Sequence, residues 1–448
     1  MLFPLHERLK GRSTHARLEA LERSQWLRPE RLAEVQFEGI RRHLEFAYRE
    51  VPYYRQLLDK HELQPWRIGS MEDFSRIPCL TRDAIREHFE DLQSRTKLRR
   101  VQRMSTGGST GTPVTVLVDS ERMAATEAAR LRAHRWFGVD MGVREIVLWG
   151  SPIELTKQDL VRTVRDWLLN SHLLSAFDLG EPALRRYADI IQRVKPAKLY
   201  GYATAIHLLA RYLGRAAWRP EPGWPRAIFT TAEPLYGFQR RDIEDVFGCP
   251  VAVEYGCRDG GLVANECSAR GLHIPAEGMV VEVLPASDQS DDGRGELVVT
   301  NLDSFAMPII RYRTGDVGAL ETAPCSCGRG LPRLRAVDGR RTDFLVTPTG
   351  KVMHALAVIY VLREIPSIRE FQVVQERLDH LRVRIVPDGD FSGEAREIIA
   401  VRLAELFGGR LSLEIELEQA IPRSSAGKHR YVISRVAEQY LDRLVGAG

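Results

Sequence analysis

The chain contains no apolar run near the roughly 18 residues that a membrane-spanning helix requires. Its opening residues, Met1-Leu2-Phe3-Pro4-Leu5-His6-Glu7, carry no apolar signal segment and soon become charged, so a cytoplasmic location is expected. Six cysteines in 448 residues do not suggest a disulfide framework. Charge of one sign is scarce as well. The 64 Lys and Arg are interspersed with 60 Asp and Glu for a net +4, so nucleic acid is not demanded as a partner. One basic cluster, Arg95 to Arg103, reads either as a solvated surface or as a local attractor for nucleotides.

What is present is an ordinary soluble composition, 44% apolar and 28% charged, in a chain too long for one hydrophobic core. Two or three domains are expected. The segment Ser105-Thr106-Gly107-Gly108-Ser109-Thr110-Gly111-Thr112-Pro113 packs glycines and hydroxyls together, which suits backbone N–H donation to a phosphate. It has no lysine of the G-x-x-x-x-G-K-[ST] type, which argues against an ordinary P-loop ATPase.

The spacing Cys267-x5-His273 and Cys325-x-Cys327 makes a Cys3His set, and a structural zinc takes four such ligands in a closed tetrahedron. Reduced thiols adjacent by chance, or a redox pair, are the alternatives. Cys79, Cys249 and Cys257 are spare, and either of the last two offers a replacement ligand.

Apolar spacing from about Leu18 to His61 predicts helices, with Ala33, Phe37, Ile40, Leu44 and Ala47 as a buried stripe. Ser120 is a plausible N-cap for a helix over Glu121 to Trp136 that ends at Gly138. Glu145–Trp149, Ala197–Tyr200, Ala227–Thr230 and Val251–Tyr255 read as strands alternating with helices. That alternation predicts a parallel α/β layer with its ligand site at the strand carboxyl ends. The stretch from Gly278 to Leu320 reads as a small antiparallel or barrel-like unit bearing the zinc loops.

The fold class is therefore α/β: a large N-terminal domain over 1–337 with a β-rich subdomain, and a small α+β two-layer domain over 338–448. Trp149, Tyr200, Tyr202, Ala203, Phe229 and Ala232 are candidates for an apolar pocket near the strand ends.

Four motifs follow the glycine segment in order: Tyr255-Gly256-Cys257-Arg258-Asp259, Tyr312-Arg313-Thr314-Gly315-Asp316, Gly339-Arg340-Arg341-Thr342-Asp343 and Pro422-Arg423-Ser424-Ser425-Ala426-Gly427-Lys428. The succession resembles the acyl-adenylate-forming superfamily. With Thr231-Ala232-Glu233-Pro234 and the short length, it looks most like the phenylacetate-coenzyme A ligase family, from about Phe46 to Val436.

The resemblance implies ATP-dependent activation of an aryl or arylacetic acid to an acyl-adenylate, then transfer to coenzyme A. It implies a mobile C-terminal lid, Lys428 as the catalytic lysine, Asp316 on the ribose hydroxyls and Arg340 on ribose or phosphate. Tyr255 and Gly256 join the nucleotide site, and Asp259 with Glu233 become candidates beside bound Mg2+. Some members carry zinc on the same Cys/His pattern. Thr342 stands where the usual hinge aspartate lies, with Asp343 matching the next position. Carboxylic acid, ATP and coenzyme A are the expected partners, and a homodimer is compatible. Transfer of the acyl group to an amine or of AMP to a hydroxyl, in cofactor or surface-polysaccharide synthesis, stays open, as does a non-catalytic nucleotide-binding protein.

Overall fold

The structure is a computed structural model that describes residues 13–98, 100–105, 114–149, 170–176, 181–216, 218–221, 223–285, 293–340, 344–349, 352–354, 356–408, 411–422 and 430–436. The expected site residues Thr106, Gly107, Gly108, Ser109, Thr110, Gly111, Thr112 and Lys428, with Thr342 and Asp343, lie outside them.

Three helices, Thr14–Ser24, Pro29–Glu50 and Pro52–Lys60, form the entry segment, the latter two each opening on a proline whose missing N–H costs nothing there. The buried stripe of Pro29–Glu50 is Leu32, Gly39, Ile40, His43, Leu44 and Ala47. Ala33 is exposed and Phe37 half-buried, because Leu32 and His43 take the inward positions of that face. The helix Ser120–Arg135 is capped by Asp119 rather than Ser120: its Oδ1 accepts the N–H groups of Glu121 and Arg122, each at 3.0 Å. A carboxylate suits that end of a helix.

Two short strands, β1 (Gln102–Ser105) and β2 (Thr115–Val118), pair antiparallel with Ser105 opposite Thr115. They bring the two ends of the glycine-rich segment together. The parallel strands β3 (Glu145–Trp149), β4 (Ser171–Ser175), β5 (Lys198–Tyr202), β6 (Ala227–Thr231) and β7 (Val251–Cys257) follow. β8 (Gly261–Glu266) and β9 (Leu272–His273) continue antiparallel. β10 (Met279–Pro285), β11 (Gly295–Asn301), β12 (Ile309–Glu321) and β13 (Arg333–Arg340) complete one sheet of eleven strands, ordered β10-β11-β12-β13-β9-β8-β7-β6-β5-β3-β4.

The expected separate barrel-like unit is thus the far end of this same sheet. Strands β8, β9 and β13 supply the ladder partners that join it to the parallel half. The helices Glu181–Val194, Ala203–Arg215 and Gly237–Phe247 contribute Leu184, Ile191, Ile206, Leu209 and Ile243 to a core with Ile146, Leu148, Leu199 and Ile228 of the strands.

The chain divides into two compact units. The first holds most of Met1 to Ala336, and the second runs from Val337 with Pro285–Glu296 and Gly315–Gly318. In the second, β14 (Phe344–Val346) and β15 (Val352–His354) form a hairpin. β16 (Ile368–Arg377), β17 (His380–Pro387), β18 (Ser412–Leu417) and β19 (Val432–Ser434) form a sheet ordered β18-β17-β16-β19. Helices Leu356–Arg363 and Gly393–Phe407 accompany it. The fully buried Gln375 ties hairpin to sheet: its amide nitrogen donates to the Val346 carbonyl at 2.6 Å, and its oxygen accepts from the Val346 N–H and the Ser434 hydroxyl. Among the described residues no helix is long and apolar enough to cross a membrane.

Candidate functional site

At the carboxyl end of β7 the chain turns through Arg258-Asp259-Gly260 into β8, and this turn is held from every side. Gly256 sits at a ladder irregularity where a Cβ would meet the Gly261 carbonyl oxygen at 2.7 Å, so only glycine fits. The Arg258 guanidinium donates to the Ser105 carbonyl at 2.7 Å, tying the turn to the last residue before the glycine-rich segment. Arg122, only 3% exposed, donates to the carbonyls of Arg258 (3.2 Å) and Asp259 (2.7 Å). Asn301 donates to the Gly260 carbonyl at 3.0 Å.

The Asp259 side chain is 2% exposed. Its Oδ1 accepts the Gly260 N–H at 3.2 Å, and its Oδ2 accepts the Tyr312 hydroxyl. Arg82 stands 4.0 Å from Oδ2 and donates from Nε to the Tyr312 hydroxyl at 3.2 Å. Burial, then the neighbouring Asp259 carboxylate, pushes the Tyr312 phenol well above its ordinary value, so it stays a neutral donor. These are the partners of a carboxylate spent on the fold, and they do not suit direct coordination of Mg2+, which wants accessible oxygens. Glu233, half-buried, follows β6 and Ala232, whose backbone is left-handed at φ 65°. Its Oε2 accepts the Thr204 N–H at 3.0 Å in the first turn of Ala203–Arg215. Of the two candidate carboxylates, Glu233 is the more reachable.

Asp316 is buried and lies within β12. Just before it, the Thr314 hydroxyl donates to the Leu297 carbonyl at 2.8 Å, while Gly315 adopts φ 77° and donates to Glu296. Tyr255 is half-buried near the end of β7, and Arg340 is the last residue of β13.

The proposed pocket residues divide. Trp149 stacks on Tyr202 with centroids 4.4 Å apart, both at strand carboxyl ends. Phe229 instead packs in the core against His134 (3.9 Å) and Phe137 (5.5 Å), because it lies mid-strand in β6. Sequence reasoning missed the group beside them. Glu254 is 6% exposed, bonded by both oxygens to Arg130 at 2.8 and 3.0 Å, and accepts the Tyr200 hydroxyl at 2.8 Å. Arg130 lies over the Tyr200 ring, 5.7 Å from its centroid. A buried Glu next to the strand end was the signal available.

A second centre lies where the β8–β9 turn meets the loop after β12. The ligand atoms of Cys267, His273, Cys325 and Cys327 all fall within 4.8 Å of one another. The Cys267 and Cys325 sulfurs are 3.8 Å apart, close to the edge of about 3.8 Å that Zn–S bonds of about 2.3 Å give a tetrahedron. Cys327 Sγ lies 3.2 Å from His273 Nε2, and His273 Nδ1 faces the Leu331 carbonyl at 3.2 Å, which leaves Nε2 as the ligand atom. Burial, aided by nearby arginines, lowers His273 to about 4 and so keeps the ligating neutral form. Gly271 makes room: a Cβ there would come 2.7 Å from the Cys325 sulfur. Cys249 and Cys257 are not in this set. The donors and their spacing fit a zinc ion.

Comparison with known proteins follows this geometry. Residues 345–435 match the model of the CapK C-terminal domain. The chain is 26% identical over 414 residues to Protein CapK of Staphylococcus aureus, covering 90% of each chain. It is 25% identical over 447 residues to the phenylacetate-coenzyme A ligase of Thermus thermophilus, covering 90% of this chain and 96% of that one. Among solved structures, 2-hydroxyisobutyryl-CoA ligase in the postadenylation state superposes with a TM-score of 0.71 at 19% identity, over 95% of this chain and 94% of the other. At that identity the likeness speaks for the fold. The chain is thus similar along nearly its whole length to phenylacetate-coenzyme A ligases and to Protein CapK, and it shares its fold with an acyl-CoA ligase.

Proposed function

We propose that the protein is an AMP-forming acid–thiol ligase, activating a carboxylic acid with ATP to an acyl-adenylate and passing the acyl group to coenzyme A. The observation that carries this reading is similarity to phenylacetate-coenzyme A ligases along nearly the whole chain. The Arg258–Gly260 turn supports it, since it ties Ser105, at the edge of the glycine-rich segment, to the Tyr312–Asp316 motif.

In this reading the glycine-rich segment cradles the phosphates of ATP and Asp316 accepts from the ribose hydroxyls. Arg340 contacts ribose or phosphate. Lys428 neutralises the carboxylate and the α-phosphate as a carboxylate oxygen attacks the α-phosphorus and pyrophosphate leaves, where preorganised positive charge lowers the barrier most. Mg2+, when bound, offsets phosphate charge, with Glu233 as its candidate carboxylate. Trp149, half-buried at the end of β3 and stacked on the core residue Tyr202, is the candidate contact for an aryl acid. The Cys3His centre holds structural zinc. A cytoplasmic location and a homodimer complete the proposal.

A second reading rests on the CapK match and its C-terminal domain. It keeps adenylation and sends the product to an amine or hydroxyl acceptor. Pyrophosphate release from ATP and Mg2+, measured over a panel of aryl and aliphatic acids with and without coenzyme A and with products followed by mass, separates the two. A thioester is the expected product, and Lys428→Ala is expected to lower its formation at least about 100-fold. Adenylate without thioester across the panel favours the second reading. No pyrophosphate with any acid counts against both.

A further inference from the structure

Arg82 was not among the residues that the motifs pointed to, yet it touches two of them. The segment before it runs beside β12: Leu80 N–H donates to the Arg311 carbonyl at 2.9 Å, and Arg313 N–H donates to the Leu80 carbonyl at 3.0 Å. Thr81 then caps the short helix Arg82–Glu87 by accepting the Ala84 N–H at 3.1 Å. The first helical residue is therefore aimed at Tyr312. Its guanidinium donates from Nε to the Tyr312 hydroxyl and from a terminal nitrogen to the Thr314 carbonyl, both at 3.2 Å. The Tyr312 hydroxyl in turn donates to the Asp259 carboxylate.

The result is a directed chain, Arg82 to Tyr312 to Asp259, with Tyr312 fully buried and Asp259 nearly so. Each member has a defined direction of donation, because the guanidinium only donates and an ionised carboxylate only accepts. A hydrogen-bond network satisfied in this way is stiff, and at a distance of a few residues it fixes two motifs at once. Thr314 lies two residues before Asp316, and Asp259 closes the turn that holds Ser105.

Resting on the functional reading above, we infer that Arg82 is a positioning residue which, through Tyr312, holds the Asp259 turn and the segment leading to Asp316 in register for the nucleotide, and that Asp259 serves this brace and is not a magnesium ligand. The ligand so positioned is an adenosine nucleotide, recognised at its ribose hydroxyls. Arg82 needs no contact with substrate to matter: a shift of under 1 Å in the ribose acceptor weakens two hydrogen bonds at once.

The test is binding of AMP and of 3′-deoxy-AMP to the full chain by calorimetry, with ATP kinetics alongside. Arg82→Ala and Tyr312→Phe are expected to weaken AMP binding about tenfold and to shrink the preference over 3′-deoxy-AMP. They should raise the KM for ATP more than they lower kcat. Arg82→Lys should recover part of the preference, which loss of fold would not. Asp259→Asn keeps an acceptor for Tyr312 and is expected to leave the half-saturating Mg2+ concentration unchanged; a rise of tenfold or more overturns its assignment to the brace. Wild-type binding with an unchanged preference in both Arg82→Ala and Tyr312→Phe overturns the brace and leaves the functional reading standing. A wild-type chain that binds neither nucleotide overturns the functional reading and the brace with it.

Discussion

The Cys3His centre and the Arg258–Gly260 turn are both loops off the same sheet, and each is fixed by side chains buried around it. At the centre, four side-chain ligand atoms come from two short segments, and the carbonyl that orients His273 belongs to Leu331, just beyond the second of them. At the turn, most of what is held is backbone carbonyl. The direct holders, Arg122 and Asn301, come from distant parts of the chain, and Arg82 from a third acts through Tyr312. With the proposed zinc bound, the first device would concentrate its energy in one ion. The second spreads it over charge-assisted hydrogen bonds that exist only in the folded state, each worth about 1.5–3 kcal/mol to a charged donor.

That contrast can be broken at either side. The largest effect is expected at Arg122. Arg122→Met keeps the volume but strips the donors from two carbonyls and removes the cation beside Asp119 and Asp259. We expect a loss of about 4 kcal/mol in denaturant unfolding, together with adenylate formation. Removing the metal comes next. A strong chelator, or Cys325→Ser, is expected to cost about 3 kcal/mol and to release stoichiometric zinc by mass spectrometry, while AMP affinity changes less than twofold. A chain that loses zinc without losing stability would end the contrast.

The smallest effect is a pH dependence beside the turn. His43 is 2% exposed with neither ring nitrogen bonded, set edge-on to Phe305 at 5.5 Å. Phe305 and Ala306 donate their N–H groups to Asp119, which caps the helix carrying Arg122. Burial lowers His43 to about 4, so the unfolded chain takes up the proton first as pH falls. The associated stability is complete above about 6.5 and is lost as pH falls from there towards 4, by roughly 2 kcal/mol at pH 5. His43→Leu should flatten that slope in unfolding curves recorded between pH 5 and pH 7.5. An unchanged slope would show that other groups set it.

The contrast also explains what could be read in the sequence. Strand periodicity placed β3, β5, β6 and β7 to within about two residues, since buried parallel strands write their apolar runs directly. The clustering of Cys267, His273, Cys325 and Cys327 was legible because thiol and imidazole at that spacing seldom serve another role. Arg82, Arg122 and the Arg130–Glu254–Tyr200 group were not. An arginine that donates to a carbonyl 136 residues away leaves no local pattern, and its type alone reads as a solvated charge. Asp259 was found by its motif, but the motif could not show that Tyr312 already holds its carboxylate. The continuity of the sheet through β8, β9 and β13 was missed for the same reason, because a strand of two residues such as β9 carries no period.

Near the metal centre, Arg329 lies between the rings of Trp26 and Trp136, 5.0 and 4.5 Å from their centroids, and its Nε donates to Gln25 at 3.0 Å. Gln25 and Arg329 are 304 residues apart. A contact of such long range closes only after nearly three quarters of the chain has left the ribosome, which at about 5–20 residues per second is roughly 15 to 60 s after Gln25 is made. Until then Trp26 and Trp136 have no cation between them, and the corner that joins the first helix to the metal loop must be among the last contacts of high order to form. Chaperone capture during synthesis is therefore most probable at the entry helices, whose lasting partner is the last part of this corner to be translated.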